Sequence, residues 1–358
     1  MLLRNRLKKE LVNLLKSKNK GYVSIVGFLI IILYMYYKMP GDIRSSGISN
    51  YNSVSNYSYT LQTQRNATQN IYLLKDLSYS FWEELYIPGM PKTRDADYEN
   101  QYIFCTSQCL QGLCITDELV FITSDSEEQE CMGELLVFDR LTGEYLVTFA
   151  LDEESHLGGI TWDGENIWIC NSANNSIERI DYDFILKVAS WKLQQIVNIT
   201  NLLEMHEVKN PPSSVTYYNG SLWVVTHTVW TNSQMISYHY NDASSELELL
   251  NTYHIPEKVQ GIAFDSGGEV FLSISYGRRN SSFIKHYESV YVMDYNVKDY
   301  KTLIEMPPCS EGIDILDEKI YVLFESAGEK FLEGTDGLGR SISPIDKILI
   351  IQMQDAEK

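Results

Sequence analysis

A short pattern recurs five times between Gln111 and Ser326 and restricts the chain to very few architectures. The copies read QGLCITDELVFITS (111–124), GGITWDGENIWICNS (158–172), SSVTYYNGSLWVVTH (213–227), QGIAFDSGGEVFLSIS (260–275) and EGIDILDEKIYVLFES (311–326). Each has a small-residue step, an apolar run, an Asp or Asn turn, a second apolar run and a closing polar residue. Aligned on Gly112, Gly159, Ser214, Gly261 and Gly312, they begin 47, 55, 47 and 51 residues apart. One repeat of that length built from short strands is one four-stranded blade. The sequence therefore predicts an all-β chain, a single β-propeller over 101–358. Five blades follow from five repeats; a sixth would require 73–100 to be a degenerate blade.

Within each unit the stretch after the small step is the innermost strand. The run holding Trp168, Trp223, Phe271 or Tyr321 is the second strand, reached through the Asp or Asn hairpin turn. Third strands are expected at 134–139, 176–181, 234–240, 288–294 and 347–353, and outer strands at 145–149, 186–192, 249–255 and 301–306. The fifth repeat lacks an outer strand of its own. A strand at 101–105, paired beside 347–353, would close the ring and remove both open edges. Segment 73–100 carries Phe81, Trp82, Leu85 and Tyr86 at nearly helical spacing and is expected to pack against the propeller.

The first 40 residues differ in kind. Seven basic residues against Glu10 fill 1–20, and an uncharged apolar run occupies 22–37 before Lys38. Such a run, extended by snorkelling lysine stems, predicts a transmembrane helix at 21–38, with 1–20 cytoplasmic by the positive-inside rule. A signal peptide has a similar layout, but KMPGDIRSS offers no small-x-small cleavage site. The expectation is a single-pass type II protein of the cell membrane with its propeller extracellular. The Ser-, Asn- and Tyr-rich stretch 39–72 would be its stalk.

The net charge is −19 although the N-terminal segment is basic, so the remainder is strongly acidic. Such a body repels nucleic acid and favours cations or basic partners, or serves solubility alone. Six cysteines include no CxxC pair, which argues against a zinc knuckle. Cys109 and Cys309 each lie three residues before their reference glycine in the first and last repeats, which ring closure makes neighbours. They are either a disulfide or two buried thiols.

In a blade, the link entering the innermost strand and the loop from second to third strand emerge on one face. Repeat geometry therefore converges Gln111, His156, Ser213, Gln260 and Glu311 with Ser124, Ser172, His227, Ser275 and Glu325 around one channel mouth. Asn171 and Thr226 stand one step earlier. A concave mouth ringed by polar groups is a candidate binding site; a wet channel wall is the plainer alternative. Gln111, Gln260, Ser275, Arg278 and Arg279 are the candidate ligand-binding residues. Glu311 and Glu325 form either an acid–base pair or, with Asn171, oxygen ligands for a hard cation such as calcium. Either Glu could instead pair with Arg278 or Arg279. His156, His227 and Glu325 are the candidate catalytic groups, an imidazole being the side chain that titrates near neutrality. The insertions 194–212 and 328–344 are candidate lids or partner contacts. No GxSxG, P-loop, HExxH or Rossmann glycine signature is present in a supporting context.

The units HLGGITWDGENIWICNS, VQGIAFDSGGEVFLSIS and CSEGIDILDEKIYVLFES resemble the blades of gluconolactonase-like, strictosidine-synthase-like and streptogramin-lyase-like propellers. The likeness spans 101–353 and rests on fold-forming positions, so it speaks for architecture more than activity. It implies a metal-binding carboxylate at the Glu311–Gly312 step and an Asn ligand at Asn171. It also implies six or seven blades, where this chain shows five repeats. The whole pattern, with SYGRRNSS and YVLFESAG, is similar to membrane-anchored or secreted bacterial propeller proteins, a group that carries no known reaction. Two functions follow as expectations. One is an extracellular binding module for a protein, a glycan or a small molecule at the channel mouth. The other is a calcium-dependent lactonase or lyase.

Overall fold

The computed structural model describes Thr68, Ile71, Leu74 and residues 77–353, except 88–92, 97–101, 106–107, 127–131, 152–155, 194–195 and 343. The chain divides into two units, 1–48 with Gly337–Gly339, and 49–336 with 340–358. The first has only the bend Gly337–Gly339 among the described residues. The expected cytoplasmic segment, membrane helix and, apart from Thr68 and Ile71, the stalk lie outside them. Among the described residues no helix is long and apolar enough to cross a membrane.

The second unit is a five-bladed β-propeller. Blade one runs from the axis outward as Gln108–Ile115, Leu119–Ser126, Glu134–Asp139 and Tyr145–Ala150. Blade two is Ile160–Trp162, Asn166–Asn171, Ser176–Asp181 and Glu204–Glu207. Blade three is Ser214–Tyr218, Ser221–Val225, Ser233–Asn241 and Glu246–Ile255, and blade four Val259–Phe264, Val270–Ile274, Ser282–Tyr287 and Thr302–Met306. Blade five is Ser310–Leu316, Lys319–Phe324, Leu349–Gln352 and, from far upstream, Tyr79–Phe81. Innermost strands of successive blades pack on each other, and that of blade five packs on blade one, so the ring is closed.

The small-residue step exists because the innermost strands approach to backbone contact. A Cβ on Gly159 would lie 2.5 Å from Ser214 Cα, and one on Gly312 would lie 2.6 Å from Leu113 N. Only glycine admits such an approach. Outside this ring, second-strand aromatics fill the spaces between blades. Phe121, Trp168 and Phe271 are almost fully buried, each adding about 1.5–3 kcal/mol of gross burial. Trp168 packs edge-to-face on Tyr240 of blade three, and Trp223 packs on Phe264 of blade four.

Ring closure differs from the sequence expectation. Tyr79–Phe81, not 101–105, pairs antiparallel with Leu349–Gln352, in the register Tyr79↔Ile351 and Phe81↔Leu349. Phe81 enters the core with Ile351, Ile345 and Phe324, and the Tyr79 and Thr68 hydroxyls hydrogen-bond at 2.7 Å. Segment 73–100 therefore supplies a strand rather than a helical face, followed by the buried Leu85 and Ile87. Tyr102–Cys105 instead pairs with Thr93–Ala96 in a two-stranded hairpin.

Two expected strands are helices. Tyr182–Ala189 buries Tyr182, Ile185, Val188 and Ala189, a helical period, and Asp181 caps it by accepting the Phe184 N–H at 2.6 Å. Val290–Tyr295 starts at Ser289, whose hydroxyl accepts the Val292 N–H. The third strand of blade four is accordingly Ser282–Tyr287. Blade two takes its outer strand from the 194–212 insertion, whose Ile196–Asn198 also adds a parallel strand to blade one. That insertion is therefore blade framework rather than a loose lid. Cys109 and Cys309 are buried as thiols rather than as a disulfide, packed with Phe331. Burial, then Glu325 and Glu311, push the Cys309 thiol well up from its ordinary pKa.

Candidate functional site

Three innermost strands carry the same irregularity at the same place. Register shifts interrupt pairing between Leu110 and Leu113, between Val259 and Gly261, and between Ser310 and Ile313. Gln111, Gln260 and Glu311 sit in these bulges. A bulge adds a residue without a partner opposite and re-aims its side chain. Here three long polar side chains from blades one, four and five are delivered to one place.

That place is a cavity of about 350 Å³, lined by Gln111, His156, Ser172, Pro211, Pro212, Ser213, His227, Gln260, Glu311 and Glu325. Every blade contributes. Of the ten positions that repeat geometry converges on the mouth, eight line it. Ser124 and Ser275 do not: Ser124 Oγ donates to Gln108 Oε1 at 2.5 Å, and Ser275 is buried near Gly277. Thr226 is also outside the lining, its hydroxyl engaged with the Gln234 backbone.

The wall from blade five is acidic. Glu311 and Glu325 are both buried, and Gln260 Nε2 donates to Glu311 Oε1 at 3.2 Å. The wall from blades two and three carries the histidines. His156 Nδ1 hydrogen-bonds to Asp125 Oδ2, the last but one residue of blade one's second strand. The Asp125 side chain is 1% exposed and that of His156 39%, so a buried carboxylate holds a ring that opens to the cavity. Burial, then His156, then Lys258 lower the His227 pKa from its ordinary value and keep that ring neutral at neutral pH. Asp125 and the Pro211–Pro212 wall went unnoticed in the sequence. Asp125 follows an expected mouth residue, Ser124, but only the fold shows which histidine it meets.

The remaining candidates are placed elsewhere. Asn171 is fully buried, donates to Glu178 Oε1 at 2.6 Å and accepts the Asn174 N–H at 3.3 Å. It braces the turn of its own blade and is not among the residues that line the cavity. Arg278 is held by the 328–344 insertion. It binds Asp336 through both terminal nitrogens, at 3.0 and 2.6 Å, and stacks over Phe331 at 4.4 Å. It thereby fastens part of the 328–344 insertion. Arg279 is exposed and outside the lining. Among the described residues no group of three or more His, Cys, Asp or Glu side chains is placed to hold a metal ion. Of the two ligands that the resemblance implies, Glu311 lines this cavity and Asn171 does not.

No protein-family model matches the chain, and no curated protein matches it. Among solved structures, glutaminyl cyclase of Myxococcus xanthus matches at 9% identity over 76% of this chain and 95% of its own, with a TM-score of 0.42. Nidogen, from a nidogen–laminin complex, matches at 14% identity over 65% of this chain and 81% of its own, TM-score 0.38. Hydrazine synthase of Kuenenia stuttgartiensis matches at 11% identity over 59% of this chain and 54% of its own, TM-score 0.35.

Proposed function

We propose that this protein is a binding propeller held on the outer face of a membrane, whose loop face receives an ammonium or guanidinium group at the channel mouth. The observation that carries the reading is the pair of buried carboxylates, Glu311 and Glu325, in a cavity lined from every blade. Buried carboxylates attract a cation more strongly than exposed ones, because little water screens them. Gln111, Gln260, Ser172 and Ser213 surround them with neutral hydrogen-bonding groups that orient a ligand. The loop that brings His227 to the cavity also carries Trp230, 88% exposed, on the same face. An exposed aromatic beside a polar pocket suits a partner surface. The basic and apolar segments at 1–20 and 21–38 supply the membrane placement, and the acidic body adds long-range attraction for a cationic partner.

Calorimetric titration with choline, n-butylammonium and arginine tests this. The expected result is saturable binding that weakens with salt and falls at least tenfold in Glu311→Gln. Equal or tighter binding of acetate or glucose would overturn it. Protease protection in intact cells tests the membrane placement, which requires the propeller to be cleavable from outside.

A further inference from the structure

The Asp125–His156 pair is not needed to hold a cation, and its geometry is that of a proton-transfer device. Asp125 Oδ1 is buried and, among the described residues, has no hydrogen-bond donor, so the ring N–H of His156 is the donor that meets this carboxylate. A ring that donates through Nδ1 carries its basic lone pair on Nε2. The carboxylate fixes the ring's orientation and stabilises the imidazolium that forms when Nε2 takes a proton. Glu311 and Glu325, in the same cavity, add a field that favours that positive charge. His227, neutral and in the same lining, does not oppose it.

We propose that Asp125 and His156 form a general-base dyad that hydrolyses small esters carrying a cationic group. The proposal rests on the cation-binding reading for its substrate class and on the dyad for its chemistry. His156 Nε2 takes a proton from a water molecule as that oxygen bonds to the ester carbonyl carbon. The tetrahedral adduct collapses with cleavage of the bond to the leaving group. The imidazolium returns its proton to the leaving oxygen or sulfur, so the products are an acid and an alcohol or thiol. Asp125 keeps its charge throughout and acts as a positioning residue. His156 is the catalytic one.

The test uses the full chain with two probes, cationic acetylthiocholine and neutral p-nitrophenyl acetate. Turnover of acetylthiocholine above the buffer rate is expected, with a lower KM than the neutral ester. Asp125→Asn and His156→Gln should each reduce kcat on the order of 10²-fold, with KM little changed. His254→Gln, at an exposed histidine hydrogen-bonded to Asp294, should not change it. Nitrogen NMR should show His156 protonated at Nδ1 in the wild type. His156→Gln alters a half-exposed side chain, so it stays informative if Asp125→Asn fails to fold. No turnover of either ester, or turnover that survives His156→Gln, overturns the dyad even if amines bind. Equal KM for the two esters with the variants still inactive keeps the dyad and removes the cationic substrate class.

Discussion

The seam between blades five and one is the place where a single methyl group should open the ring. An alanine Cβ at position 312 would stand 2.6 Å from Leu113 N, 2.8 Å from Gln111 O and 2.9 Å from Gly112 C. All three are backbone atoms of the facing strand, so no rotamer change relieves them. Ordinary contact begins near 3.4 Å, which requires the two strands to part by about 0.8 Å. A gap of 0.5–1 Å forfeits roughly a quarter to a half of the dispersion energy of the atoms facing it. Overpacking of this kind costs about 1–3 kcal/mol. In a body of this size each kcal/mol lowers Tm by about 2–4 °C. Gly312→Ala should therefore melt several degrees below wild type. Gly267→Ala, where the nearest atom is Asp265 Oδ1 at 3.4 Å, is the matched control and should melt close to wild type. Thermal unfolding followed by circular dichroism decides. If the two variants melt together, the innermost strands are not in backbone contact, and the reasoning that makes the small-residue step the organising feature fails.

Two further outcomes follow from the same framework. Burial first, then Arg179, lower the His206 pKa below its ordinary 6.5, and its ring packs against both Trp168 and Tyr240. Above pH 6.5 both folded and unfolded states are neutral there. Below it the unfolded chain takes up a proton that the folded state resists, so stability is lost as pH falls. His206→Phe keeps an aromatic ring without the charge. The Tm of wild type relative to this variant should drop from pH 7.5 to pH 5.5; a constant or shrinking difference contradicts the assignment. Separately, a fragment starting at residue 71 retains the Tyr79–Phe81 strand, whereas one starting at residue 84 leaves Leu349–Gln352 as an open edge. The shorter fragment should unfold at lower urea and self-associate in size-exclusion chromatography. Equal behaviour would mean that the upstream strand does not close the ring.

What could be read from the sequence was whatever the repeat enforces. Gly112, Gly159, Gly261 and Gly312 recur because no side chain fits between the innermost strands, and once that row is aligned the polar positions flanking it must converge. Gln111, His156, Gln260, Glu311 and Glu325 meet in one cavity for that reason. What depended on a partner distant in sequence was not legible. YIFC and YSF are equally strand-prone, and only the burial of Phe81 against Leu349 and Ile351 distinguishes the one that closes blade five. In DYDFILKV and SVYVMDY, apolar runs resemble strands, although Asp181 and Ser289 stand ready as caps; tertiary burial on a helical period decided them. Asp125 belongs to this second kind, and it matters most. One residue earlier, Ser124 turns to Gln108 within its own blade; Asp125 crosses the seam to a histidine at the entry of the next. Repeats fix where a site lies because every copy obeys the same packing. A pair formed across a seam breaks that equivalence, and this is how one mouth built from five similar units acquires a carboxylate-held imidazole on one side and two carboxylates elsewhere on its rim.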